Sequence, residues 1–366
     1  MFDRRLVSNF DWPLFAICLI MSILGIINIY SAGSFSLRHS ATPYYLKQLY
    51  WLLIGLGLLA VTVSIDYQLM ARHAYLIHGL SLFLLVLALF WGRSTAGTHR
   101  WLQLGGFSFQ PSELAKITLV LLLSRYFSGL TISKSYGLQD FFYPLLVTFI
   151  TFFLIFLEPD LGTAALLVLV FISFVFFLHL GLRYIVMFLV SGAALLPVAW
   201  QFLEEYQKRR VFAFLSPGKY SLQTGYQAIQ SKIAVGSGMF FGKGFLCGTQ
   251  SQLRFLPEQH TDFVFSVVAE EWGFVGSLVV VLLFFLTISR GLRIASQSRD
   301  RLGSLVATGL VLVVFWQVLI NVGMVTGLFP IVGIPLPLLS YGGSSLVTTW
   351  IIIGILLNIR MRKFMF

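Results

Sequence analysis

The chain has 366 residues, 58% of them hydrophobic and only 11% charged, with a mean hydropathy of +0.88. A soluble domain carries about 25% charged residues, so this deficit excludes an ordinary soluble globular protein and places the chain in the membrane class. The formal net charge of +11 does not point to nucleic acid, because the basic residues fall in short segments between apolar runs and make no continuous face.

A transmembrane helix needs roughly 20 mainly apolar residues. The first such run, 12–32, follows Arg4 and Arg5 and lacks a small-residue cleavage site, which predicts a retained span and not a cleaved signal. Runs at 46–65 and 74–91 follow. The segment HRWLQLGGFSFQPSE, beginning at His99, mixes aromatic and polar groups and reads as a loop at the membrane surface. The fourth run, 112–128, opens with Glu113 and Lys116, which are spaced to meet across one helical turn. That pair is either an interfacial salt bridge or a buried one that orients a reacting group.

The fifth and sixth runs, 139–157 and 160–178, are divided only by Glu158-Pro159-Asp160. Proline stops the helix, and two carboxylates sit badly in hydrocarbon, so hydrogen bonds from nearby backbone are expected to anchor them. A seventh run covers 184–202.

The long polar segment 203–262 is basic, with Lys208, Arg209, Arg210, Lys232, Lys243 and Arg254, and its stretch GYQAIQSKIAVGSG predicts a short amphipathic helix on the membrane. Guanidinium and ammonium groups in this number suit either lipid headgroups or a diphosphate. At its end stands Asp262, directly before the eighth run, 263–288. An aspartate there reads as a helix N-cap. Ser266 and Glu270 follow at helical spacing on roughly the same face, which predicts a polar seam running inward from Asp262. His260 lies nearby, but no spacing of His, Asp or Glu makes a metal site.

After the ninth run, 304–325, comes an apolar stretch broken by Pro330, Pro335 and Pro337. Irregular apolar backbone at membrane depth requires a protein or cavity lining, so 327–345 is expected to be a re-entrant loop, with Ser340, Tyr341, Gly342, Gly343 and Ser344 lining a cavity. The tenth run is 344–359. The reading is therefore an all-α polytopic integral membrane protein of about ten transmembrane helices, forming a single domain. Lys and Arg placement puts both termini in the cytoplasm and the long loop outside, between helices seven and eight. The two cysteines, Cys18 and Cys247, make no disulfide framework, and no internal repeat is evident.

Four blocks carry a resemblance over essentially the whole chain: HRWLQLGGFSFQPSELAK, EPDLGTA, FLPEQHTDFVFSVVAEEWGFVG and PIVGIPLPLLSYGGSS. Together they resemble the SEDS family of shape, elongation, division and sporulation proteins. The string GTQSQLRFLPEQHTDF, and Val332 where the division branch carries lysine, look like the elongation branch. Leu157 before the EPD turn is a small departure.

The resemblance implies a peptidoglycan glycosyltransferase that polymerises lipid II on the outer face of the bacterial cytoplasmic membrane. It also implies work with a class B penicillin-binding protein and the elongation machinery. Asp262 then matches the family's essential aspartate, and Glu113 and Lys116 its polar pair. Chemically, a diphosphate leaving group needs no acid, so one carboxylate can suffice as the base that deprotonates the acceptor hydroxyl. Lys208, Arg209, Arg210 and Lys232 are the candidates to hold the diphosphate, with Mg2+ or Mn2+ as a candidate auxiliary. Ser266 and Glu270, with Glu113 and Lys116, are the candidates to support the base. A lipid II flippase is the competing reading. A scaffold for the elongation machinery is a third, and it leaves Asp262 as no more than a cap.

Overall fold

Lipid offers the backbone no hydrogen-bond partners, so long apolar runs resolve into helices that satisfy their own amides. The computed structural model describes residues 9–33, 43–95, 98–104, 107–130, 139–178, 200–216, 224–253, 255–256 and 258–364, with single positions between 186 and 197. In chain order the helices are α1 (Trp12–Gly33), α2 (Tyr44–Ser64), α3 (Tyr67–Arg72), α4 (Ala74–Trp91), α5 (Pro111–Gly129), α6 (Gln139–Leu157) and α7 (Leu161–Phe177). They continue with α8 (Glu205–Leu215), α9 (Thr224–Ser237), α10 (Thr249–Gln252), α11 (Val264–Ser296), α12 (Arg301–Thr326) and α13 (Gly343–Met361).

The chain is a polytopic membrane protein. Seven of these helices, α1, α2, α4, α6, α11, α12 and α13, are long and apolar enough to cross a bilayer. The expected fourth and sixth spans exist as helices but fall short of that measure. Helix α5 carries Glu113, Lys116 and Arg125, and α7 is a shorter apolar helix. The expected seventh span, 184–202, lies mostly outside the described residues.

Two expectations need correction. The surface loop before α5 is a small antiparallel sheet of β1 (Arg93–Thr95), β2 (Thr98–Leu104) and β3 (Phe107–Phe109), in that order. Leu102 pairs with Phe109 and Leu104 with Phe107, so the alternation in the sequence is used as strand. The polar segment 203–262 contains three helices, α8, α9 and α10, among its described residues. The predicted amphipathic stretch does form α9, but its Ser231 and Ala234 are buried and it packs on α11.

The described chain falls into two compact units. One comprises residues 1–66, 210–299 and 317–366. Here α2 and α13 lie close because glycines remove side chains at the contact. A Cβ on Gly55 would lie 2.8 Å from the Trp350 ring, and one on Gly354 would lie 2.0 Å from Thr62 Oγ1. The buried Asn358 amide donates to the carbonyls of Thr62, Val63 and Ile65 at 3.1, 2.7 and 2.6 Å, closing the C-terminal end of α2.

Helix α11 in this unit is broken at Gly273 (φ 68°, ψ −160°). The segment 239–244 threads into the break. Phe274 and Val275 N–H donate to the carbonyls of Met239 and Phe240 at 2.9 and 3.2 Å, while Lys243 and Gly244 N–H donate to those of Glu270 and Glu271 at 3.0 Å each. The backbone groups freed by the break are therefore paired, as membrane depth requires.

The other unit comprises 67–209 and 300–316. His78, buried in α4, bridges Thr118 of α5 (3.1 Å) and Thr151 of α6 (3.2 Å). At the EPD turn, Asp160 caps α7 through Thr163 N–H (3.3 Å) and Thr163 Oγ1 (3.0 Å). Arg100 donates to the carbonyls of Glu158 and Pro159. The anchoring expected for the two carboxylates holds for Asp160 alone. Both carboxyl oxygens of Glu158 are buried with no hydrogen-bond partner. Burial, followed by the charge of Asp160, pushes its pKa up to about 9.

Candidate active site

Asp262 lies in a run of turns that ends as α11 begins, and it is half-exposed. The cap position of that helix falls one residue later, on Phe263, which makes no side-chain capping bond. The main chain fixes Asp262 instead. Its N–H donates to the Glu258 carbonyl (3.2 Å), and its own carbonyl accepts from Asn321 Nδ2 of α12 at 3.0 Å. The same amide donates to the carbonyl of Ile334 at 2.7 Å.

Ile334 belongs to the proline-rich segment, which is irregular from Gly327 to Gly342 as expected. Its Gly333 has φ +75° and meets the Asp262 side chain directly. A Cβ there would lie 3.3 Å from Asp262 Oδ2 and 3.9 Å from Arg210 Nη1. Backbone, carboxylate and guanidinium thus converge at a position whose positive φ favours glycine.

Beside Arg210 opens a small pocket that is continuous with the surface. Its polar lining is Arg210 of α8 with Gln227 and Lys232 of α9, and its apolar walls include Phe214, Met324, Phe329 and Ile331. Lys232 lies along Gly327 (φ +81°), where a Cβ would fall 1.8 Å from its Cε, so a second glycine makes space for the cation. The four basic candidates therefore divide. Arg210 and Lys232 come together. Lys208 pairs with Glu205 on its own helix (3.5 Å), and the exposed Arg209 is not among the pocket-lining residues. Helical spacing is the reason, since adjacent residues point to different sides of α8.

The seam expected from Asp262 inward is absent among the described residues. Ser266 Oγ meets Ser231 Oγ at 3.0 Å, and Ser231 in turn donates to the Val325 carbonyl (2.8 Å). Glu270, fully buried, accepts from Lys243 Nζ (2.7 Å), Thr249 Oγ1 (3.1 Å) and the amides of Gln250 (2.9 Å) and Ser251 (3.3 Å). Backbone amides and an ammonium saturate that carboxylate, so it latches the segment 243–252 and does not support Asp262.

The residues expected to line a cavity are also placed differently. Ser340 and Ser344 are buried, Ser340 Oγ accepts from Leu336 N–H (2.9 Å), and Gln48 of α2 ties the Ser340 carbonyl (3.0 Å) to Gly342 N–H (3.3 Å). Gly343 packs against Trp51. Tyr341 N–H donates to the His260 carbonyl (2.8 Å), and the His260 ring stacks on Tyr44 at 4.4 Å. The pocket takes the other end of this segment, Gly327 to Ile331, because Gln48 draws Ser340 and Gly342 into the protein.

Glu113 and Lys116 belong to the other unit. They form a buried ion pair at 2.8 Å within α5, with both side chains under 5% exposed, so the interfacial reading is excluded. Among the described residues no group of three His, Cys, Asp or Glu could hold a metal ion. The pocket's guanidinium and ammonium groups repel Mg2+ or Mn2+, which take oxygen ligands, and Gln227 is the one polar side chain lining it that offers such an oxygen.

Sequence reading missed Asn321, Gly333 and Gln227. For Asn321 a signal existed, since a carboxamide deep in an apolar run is costly unless it is used.

Residues 11–364 match the model of the cell cycle protein family of FtsW, RodA and SpoVE. The chain belongs to this family. It is 42% identical over 311 residues to the peptidoglycan glycosyltransferase MrdB of Escherichia coli strain K12, covering 85% of this chain and 84% of that protein. Identity to the peptidoglycan glycosyltransferase RodA of Treponema pallidum is 34%, over 98% of this chain and 99% of the relative. Among solved structures, a chain of a peptidoglycan synthase complex that coordinates polymerization and crosslinking superposes with a TM-score of 0.83. Its identity is 32%, and the match covers 98% of this chain and 99% of that one. The rod shape determining protein RodA of Thermus thermophilus gives 0.73 at 29% identity, over 98% of both chains.

Proposed function

We propose that this protein is a peptidoglycan glycosyltransferase of the RodA type, which polymerises lipid II into glycan strands. The observation that carries the reading is the convergence of Asp262, Arg210 and Gly333 beside a pocket with two cations and apolar walls. Such a pocket suits an amphiphile with an anionic head. Arg210 and Lys232 take the diphosphate, and Phe214, Met324 and Phe329 lie against the first part of its lipid.

Asp262 accepts the proton of the acceptor sugar hydroxyl as that oxygen bonds to the anomeric carbon of the donor. The bond from that carbon to the diphosphate breaks, and its electron pair leaves on the phosphate oxygen, where the two cations stabilise the charge. The reading includes about ten spans, both termini in the cytoplasm and the site facing outward. It also includes service in elongation beside a crosslinking transpeptidase of the penicillin-binding class, as the synthase-complex relative suggests. A flippase needs polar groups continuous through the midplane, and the latched Glu270 offers no such path.

Purified Asp262→Asn protein, incubated with lipid II, should lose polymer formation by about 10²-fold or more while eluting as a folded monodisperse species. Polymerisation at the wild-type rate would overturn the reading.

A further inference from the structure

Resting on the reading of Asp262 as the base, we propose that Asn321 is a positioning residue. It holds the Asp262 turn and the Gly333 loop at a fixed separation.

Asn321 is fully buried in α12, within a run of apolar residues. A carboxamide has two N–H donors at a set angle, and here they meet two carbonyls, those of Asp262 (3.0 Å) and Ile334 (2.7 Å). Both acceptors are carbonyl oxygens, so the amide can face them only with its nitrogen, and its orientation is determined. Its oxygen is buried with no partner among the described residues, so the side chain is committed to its donor side.

The two carbonyls belong to segments far apart in the sequence, and the chemistry lies between those segments. Asp262 carries the carboxylate. Ile334 follows Gly333, whose α-carbon faces both that carboxylate and Arg210. A helix needing only a packing residue at 321 would be served by leucine, without a polar group in its interior. Without the bridge the bond from Tyr341 N–H to the His260 carbonyl still joins the two segments, but the Asp262 and Ile334 carbonyls lose their shared donor, and a displacement of about 1 Å at a reacting group can cost about 100-fold in rate. Binding at the pocket, formed by α8, α9, Met324 of α12 and the segment 327–331, none of which bonds to the Asn321 amide, would be left in place.

The experiment uses the full-length purified protein and lipid II, with rates normalised to the folded fraction from size exclusion. Asn321→Ala should lower kcat by roughly 30- to 100-fold with KM changed by less than about threefold, and Asn321→Gln, which keeps the amide donors, should recover a substantial part. A wild-type kcat in Asn321→Ala, a loss carried by KM, or equal losses in the two variants would overturn the proposal. Asp262→Asn measured alongside separates the two ideas. Activity retained there removes the base itself, whereas an inactive Asp262→Asn with a fully active Asn321→Ala removes only the positioning role.

Discussion

Glu158 is the residue whose environment departs furthest from that of a free side chain outside the spanning segments. Burial, and after it the charge of Asp160, penalise the anion and push its pKa from the 4.5 of a free glutamate up to about 9. Between those values the folded protein keeps a proton that the unfolded chain has released. Its contribution is therefore full below about pH 4.5, shrinks as pH rises, and is lost through pH 9. Glu158→Gln has the same shape and no proton to lose, so its melting temperature should hold nearly level between about pH 6 and pH 9 while that of the parent falls. Parallel slopes in detergent would show that Glu158 is already ionised.

Much at this scale was readable beforehand, since charges are rare in apolar runs and each one asks for an explanation. Asp262, Glu113 and Lys116 stood out for that reason. Asn321 and Gly333 did not, because their roles arise from contact between segments that the sequence holds far apart. The split of Arg210 from Lys208 and Arg209 likewise depends on which side of α8 meets α9.

At the scale of elements, the latch between Glu270 and the segment 243–252 carries a clear expectation. Glu270→Leu would leave the Lys243 ammonium and the amides of Gln250 and Ser251 without their acceptor. The Lys243 side chain is 26% exposed and can hydrate, so the loss falls below the roughly 3–5 kcal/mol of a fully buried pair. The variant should melt several degrees lower and be cut faster by protease within 243–253. Unchanged cleavage would mean that the threaded backbone holds the segment by itself. The EPD turn and the proline-rich segment were legible because proline excludes helix directly. The break at Gly273 was not, because a lone glycine in an apolar run is usually tolerated within a helix. The sheet was also missed, since its alternation is short and lies among residues that suit a loop equally well.

For the molecule as a whole, hydropathy was enough to identify a polytopic chain and to locate the seven helices long and apolar enough to cross a bilayer. The proposed outward placement of 203–262 can be tested with the two native cysteines, because Cys247 is exposed and Cys18 is buried. A membrane-impermeant maleimide should label Cys247 in right-side-out vesicles and leave it unlabelled in sealed inverted ones, with Cys18 silent in both. The opposite pattern would invert the topology and remove an outward-facing site.

The break in α11 also has a mechanical meaning. An unbroken helix is a stiff rod, and a twist applied at one end arrives at the other. At Gly273 that rod is replaced by a joint, with the strip 239–244 clasped through it. The short N-terminal arm leads from Asp262 and the long C-terminal arm runs to Ser296. The short arm is thereby geared to its own clasp, and rotation of the long arm reaches the carboxylate only as far as that clasp yields.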